Sequence, residues 1–221
     1  MNAIARLTGA ARRAAPAALV LAATALAAAV LPTPASADRT KIILHAISHD
    51  DRVHCFVPAE QGYRNPATQT VTSVARASDI DVFLYLVDYE QAEGAGFQLV
   101  WPADWAYYGW SADCLGHQIT VTDFVDTGIH LGTVFDPVTG GALVPLGYAS
   151  FTAGAGGEAR LAGTWMCAES GRGICYLRRG AEVRIEPPMT GRVAAGGPGY
   201  NPAAAMPVAA TTWGAIKAGY R

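Results

Sequence analysis

From Ile80 to Tyr89 the chain reads Ile-Asp-Val-Phe-Leu-Tyr-Leu-Val-Asp-Tyr, apolar at odd and even positions alike. Successive residues of a strand point to opposite faces, so such a run needs cover on both sides. It predicts a central strand, inside a fold with enough other chain to bury it twice. Neighbouring runs are of the half-buried kind. Phe97, Leu99 and Trp101 alternate with Gln98 and Val100, Ile119 and Val121 with Thr120 and Thr122, and Ala181, Val183 and Ile185 with Glu182, Arg184 and Glu186. Ile42–Ala46 and Leu143–Thr152 are further short runs. Turn-forming clusters separate them, among them Glu93-Gly94-Ala95-Gly96 and Asp136-Pro137-Val138-Thr139-Gly140-Gly141. Short strands with regular turn signals predict an all-β fold, a single antiparallel β-sandwich of immunoglobulin-like type, over residues 38–190.

The first 37 residues read as an address. Arg6, Arg12 and Arg13 precede an apolar run from Ala14 to Leu31, followed by Pro32-Thr33-Pro34-Ala35-Ser36-Ala37. A basic start, an apolar middle and small residues at the Ala-x-Ala positions describe a secretory signal peptide cleaved after Ala37. The run is mostly alanine and weakly apolar, which favours cleavage over a retained membrane span. The protein is therefore expected to be secreted, periplasmic or displayed at the cell surface. Export fits the four cysteines, Cys55, Cys114, Cys167 and Cys175, an even number in an oxidising compartment. Three pairings are open. Cys167–Cys175 is favoured because Gly171 and Gly173 read as a hairpin tip between the two, which leaves Cys55–Cys114.

Charge narrows the partners. Loss of three arginines with the leader takes 16 basic residues to 13, against 18 acidic ones, a net charge of −5. An acidic surface argues against nucleic acid and against anionic membrane as partners. A chain 51% apolar and only 15% charged is not a disordered one.

After Pro188 the composition shifts. Residues 191–210 are rich in Gly, Ala and Pro and read as a flexible linker. Thr212 then caps a short helix over 211–221, with Trp213, Ile216 and Tyr220 on one face. The ending Thr212-Trp213-Gly214-Ala215-Ile216-Lys217-Ala218-Gly219-Tyr220-Arg221 resembles that of a group of uncharacterised secreted bacterial β-sandwich proteins, with the pattern Thr-Trp-Gly-x-Ile-Lys-x-x-Tyr-Arg. The resemblance implies export and a tail read by a sorting system. It supplies no catalytic residues.

Two clusters carry chemistry. His45, His49 and His54, with Asp50 and Asp51 between them, fall within ten residues. Imidazoles and carboxylates are ligands for zinc-like ions, provided that they converge. Trp101, Trp105, Tyr107, Tyr108 and Trp110 put five aromatics into ten residues beside Asp104. Exposed flat rings stack on sugars and Asp104 would accept from hydroxyls. The same rings, turned inward, would anchor a loop over the core. Asp79 and Asp81, or Asp123 and Asp126, are too sparse for a calcium loop. Gly109-Trp110-Ser111-Ala112-Asp113 has Asp113 where a nucleophile elbow has glycine, and the strand–turn–helix context is missing. No cofactor motif is present.

The reading is an exported, non-enzymatic surface or secreted module of structural or adhesive type, with a glycan or another cell-surface component as its partner. A carbohydrate-binding module using loop 101–110 (Trp101, Asp104, Trp105, Tyr108, Trp110) is the alternative, and a metal-dependent enzyme at His45, His49 and His54 is a further one. Expressed with its own leader in an exporting host, the protein should begin at Asp38 and gain about 4 Da on reduction, as two disulfides require. Intact-mass and N-terminal sequencing check both, and an unprocessed start or free thiols would contradict them.

Overall fold

Residues 39–51, 65–112, 119–125, 128–140 and 143–204 are described by the structure, a computed structural model. The leader, Cys55, Cys114, His54 and the tail helix 211–221 lie outside these residues. In chain order the strands are β1 (Lys41–Ser48), β2 (Ser73–Val74), β3 (Asp79–Val87), β4 (Gln91–Val100), β5 (Ala106–Ser111) and β6 (Ile119–Val125). They continue as β7 (Gly128–Thr139), β8 (Val144–Thr152), β9 (Glu158–Ala162), β10 (Ile174–Arg178), β11 (Ala181–Ile185) and β12 (Arg192–Ala195). The helix α1 (Pro66–Gln69) is a single turn. Among the described residues no helix is long and apolar enough to cross a membrane.

The strands form a β-sandwich. One sheet runs β1-β3-β8-β5. The second forks at β4, which pairs with β7 along one edge, while β10 takes Gly94–Gly96 and β9 takes Gln98–Val100 along the other. β12 continues from β9, and β6 from β7. Pairing is antiparallel except between β12 and β2. The core between the sheets is built from one parity of each strand: Leu44, Val82, Leu84 and Phe151 from the first sheet, and Phe97, Leu99, Leu131 and Tyr176 from the second. Each such side chain contributes about 1.5–3 kcal/mol on burial.

The doubly apolar run is strand β3, and both of its faces are buried. Its even positions enter the main core. Phe83, Tyr85 and Val87 form a second cluster on the outer face with Ile43 and Tyr148. Phe83 stacks on Tyr148 at 4.9 Å between ring centres. Part of the cover comes from a stretch expected to be a linker. Residues 191–204 are instead built into the sandwich: β12 joins the second sheet, and Ala203 packs on the outer cluster. The Gly191 N–H donates to the Ile42 carbonyl at 2.8 Å, along the edge of β1. Two Asn-Pro pairs, Asn65-Pro66 and Asn201-Pro202, join this segment to α1. Asn65 caps α1 by accepting from the Ala67 N–H at 3.0 Å. Asn201 accepts from the Ala203 N–H at 2.9 Å and donates to the Pro66 carbonyl at 2.7 Å.

The Glu93–Gly96 cluster is not a turn but the middle of β4. A Cβ on Gly96 would lie 2.6 Å from the Cys167 sulfur, and one on Gly132 would lie 2.8 Å from the Met166 sulfur. These glycines leave room for the loop carrying the Cys167–Cys175 disulfide, which is formed as expected. That loop closes through the Arg172 N–H on the Cys167 carbonyl, with Gly171 and Arg172 at positive φ, rather than as a paired hairpin.

Gly147 sits where β8 bulges against β3, with φ at 138°. A Cβ there would meet the Trp110 indole at 2.4 Å and the Ser111 carbonyl at 2.6 Å. Gly147→Ala should cost roughly 2–4 kcal/mol, combining backbone strain with overpacking. Urea denaturation measures it, and an unchanged midpoint would mean that β5 yields freely.

Candidate functional site

The outer face of the first sheet is apolar at Phe83 and Tyr85 but turns polar toward the start of β3. Asp79 and Asp81 share that face, and the register sets Thr152 opposite Asp79 and Ser150 opposite Asp81. On β5 a bulge between Tyr107 and Gly109 sets two residues against one of β8. A bulge of this kind re-aims a side chain. Tyr107 and Trp110 turn inward, and Tyr108 turns out to 68% exposure. The result is an open groove of about 450 Å³ whose lining includes His49, Asp79, Tyr108, Ser111, Tyr148 and Ser150.

Two chains of hydrogen bonds cross it. Thr152 donates to Asp79, so the Tyr108 hydroxyl, 2.7 Å from Thr152 Oγ1, is the donor in that contact. Ser150 donates to Asp81, which is fully buried, and His49 Nδ1 lies 3.2 and 3.3 Å from the two Asp81 oxygens. The carboxylate thus stands between serine and imidazole. A nucleophilic serine needs the imidazole beside it and the carboxylate behind. With its proton committed to Asp81, Ser150 accepts and orients.

The aromatic loop is mostly an anchor. The glycan reading expects Trp105 and Trp110 to be exposed and coplanar, yet Trp105 is 3% exposed, and its Nε1 donates to the Gly156 carbonyl at 2.8 Å. Trp101 stacks on Tyr107 at 4.7 Å and meets Phe151 edge-on. Asp104 accepts from the Ala155 N–H at 2.9 Å, which ties loop 101–105 to loop 153–157. Apolar area drives these rings inward. Trp110 is half-buried over Phe97 and forms part of the groove wall. Of the five residues expected to bind a ligand, Tyr108 and Trp110 reach the groove. Burial pushes the Tyr107 hydroxyl up to about 12.

The histidines separate. His45 is buried on β1, and its Nδ1 accepts from the Val71 N–H at 2.9 Å. His49 follows the strand, in a 3-10 turn (His49–Asp51) at the groove. Among the described residues no group of three or more His, Cys, Asp or Glu side chains is placed to hold a metal ion. Ser150, which lines the groove, and Thr152, which tethers Tyr108 beside it, were left unassigned by sequence reasoning and carry one signal: hydroxyls two apart in an apolar strand. Their meeting with Asp79 and Asp81 depends on a pairing about 70 residues away in sequence.

Desolvation lowers the His45 pKa from 6.5 to about 4. The folded state therefore binds fewer protons than the unfolded one between these values. This contribution to stability is complete above pH 6.5 and is lost as pH falls toward 4, by up to about 3 kcal/mol. Urea midpoints at pH 7, 5.5 and 4 should fall for the wild type more than for His45→Asn, whose amide oxygen still accepts from Val71. Parallel declines would refute the assignment.

No family model matches the sequence, and neither does any curated protein. Among solved structures the chain is similar to a type II cohesin domain from the cellulosome of Acetivibrio cellulolyticus, at 6% identity and a TM-score of 0.41, over 52% of this chain and 84% of that one. It is also similar to the second type II cohesin module of the adaptor ScaA scaffoldin from that organism, at 9% identity and a TM-score of 0.41, over 70% and 95%. Neither likeness is close enough to carry an argument about binding.

Proposed function

We propose that this chain is an exported, non-enzymatic adhesive module that holds a neutral glycan in the groove between β5, β8 and β3. The observation that carries the reading is Tyr108. A large aromatic ring is kept in solvent at the groove mouth while its hydroxyl is tethered through Thr152 to Asp79. A ring immobilised before binding loses little side-chain entropy on contact. It offers a flat apolar face for a sugar ring to stack on. The second oxygen of Asp79 and the Ser150 hydroxyl supply acceptors for sugar hydroxyls, and His49 supplies a further polar group at the rim. This replaces the loop 101–110 platform with a narrower one, Tyr108 flanked by β3 and β8. Export and sorting through the tail complete the proposal, supported by the leader pattern and the terminal motif.

Tyr108→Ala should weaken retention on the best-bound polysaccharide of a glycan array by about tenfold, equivalent to about 1.4 kcal/mol. Its unfolding free energy should change by less than about 0.5 kcal/mol, because the side chain is exposed. Affinity electrophoresis reads the first and urea denaturation the second. Equal retention by variant and wild type, or no retention of the wild type on any glycan, would overturn the reading.

A further inference from the structure

On the solvent side of the second sheet, β9 and β12 set Arg160 directly opposite Arg192. Like charges facing each other across a strand pair are destabilising. Among the described residues only one of the two is compensated. Arg192 Nη1 lies 3.2 and 3.3 Å from the Glu158 carboxylate oxygens, and its guanidinium lies over the Tyr200 ring, 5.5 Å from the centroid. Tyr200 is fixed in turn. Its hydroxyl donates to the Pro188 carbonyl at 2.9 Å, and its backbone exchanges two hydrogen bonds with that of Arg192. Gly199 permits this approach, since a Cβ there would stand 2.5 Å from the Arg192 carbonyl. The Arg160 side chain is exposed and makes no hydrogen bond or ion pair with any described residue. These groups surround a cavity of about 470 Å³, walled on one side by Pro187 and Pro188.

Two guanidinium groups and one carboxylate leave a single positive charge in this cavity, in a chain whose acidic residues outnumber its basic ones by 18 to 16. Among the described residues no hydrogen bond or ion pair engages the Arg160 guanidinium, and its charge opposes that of its cross-strand neighbour. A ligand that neutralises it would relieve that repulsion. The guanidinium fork matches a planar oxyanion in two-point fashion. One net charge matches a carboxylate better than a dianionic phosphate. The volume exceeds that of a bare ion and suits a small molecule carrying the group. We infer that Arg160, with Arg192 held beside it, binds the carboxylate of a small anionic ligand. The site is separate from the Tyr108 groove, on the outer face of the other sheet, and stands whether or not that groove binds glycan.

The test is an amide-shift NMR titration of the chain from residue 38 onward with sodium glucuronate, sodium acetate and glucose, at ionic strength matched by sodium chloride. Glucuronate should give saturable shifts at residues 160, 192 and 200. Arg160→Gln should weaken them at least tenfold while melting at or above the wild-type temperature, because it relieves the arginine pair. Acetate reproducing the shifts with the same dependence on Arg160 supports recognition of the carboxylate alone, whereas shifts confined to glucuronate support a uronate-bearing ligand. The inference fails if shifts are unsaturable, if sodium chloride or glucose reproduces them, or if Arg160→Gln binds unchanged. It also fails if that variant melts lower, since Arg160 would then be structural.

Discussion

Burial of β3 on both faces governs the rest of the molecule. A two-sheet sandwich covers only the inward face of each strand, so Phe83, Tyr85 and Val87 require apolar cover outside the sheet. Chain that is not strand contributes it. Ala203 packs on this outer cluster, and the asparagine that positions Ala203 also holds the carbonyl of Pro66. The groove opens where the strand's outward residues change from apolar Phe83 and Tyr85 to Asp81 and Asp79. Cover and site are thus two consequences of one run of residues, read from opposite ends.

Much of the fold was legible because alternation is a local signal. The strands at 80–87, 144–152 and 181–185 follow the pattern of their own residues, whereas β6 forms where the alternation marks it but leaves Val121, expected on a buried face, 55% exposed. The misreadings share a different cause. Glycines in β4 looked like a turn because their role depends on Cys167, Cys175 and Leu177, more than 70 residues away. The stretch after Gly191 looked like a linker because small residues at 191, 194, 195 and 203 mark close packing as readily as flexibility. In both places composition was right and its interpretation turned on contacts distant in sequence.

The site was less legible than the fold. The aromatic cluster was visible, but five rings in ten residues say nothing about which of them faces solvent. That choice rests on a bulge in β5 pairing, and it selects Tyr108 while Trp101 and Trp105 join the core. The acidic residues of β3 and the hydroxyls of β8 were each visible as pairs two apart. Only the register between these strands makes them partners. The two arginines of β9 and β12 are 32 residues apart and share no local pattern at all.

Gly96 lies beneath the Cys167–Cys175 bridge with no space for a methyl group between them. A side chain at Gly96 is tolerable only once the bridge has gone, and loss of the bridge leaves a bare strip of β4 backbone that a side chain would then usefully shield. Glycine and cysteine pair therefore form one packing unit, in which a change at Gly96 costs most while the bridge is intact.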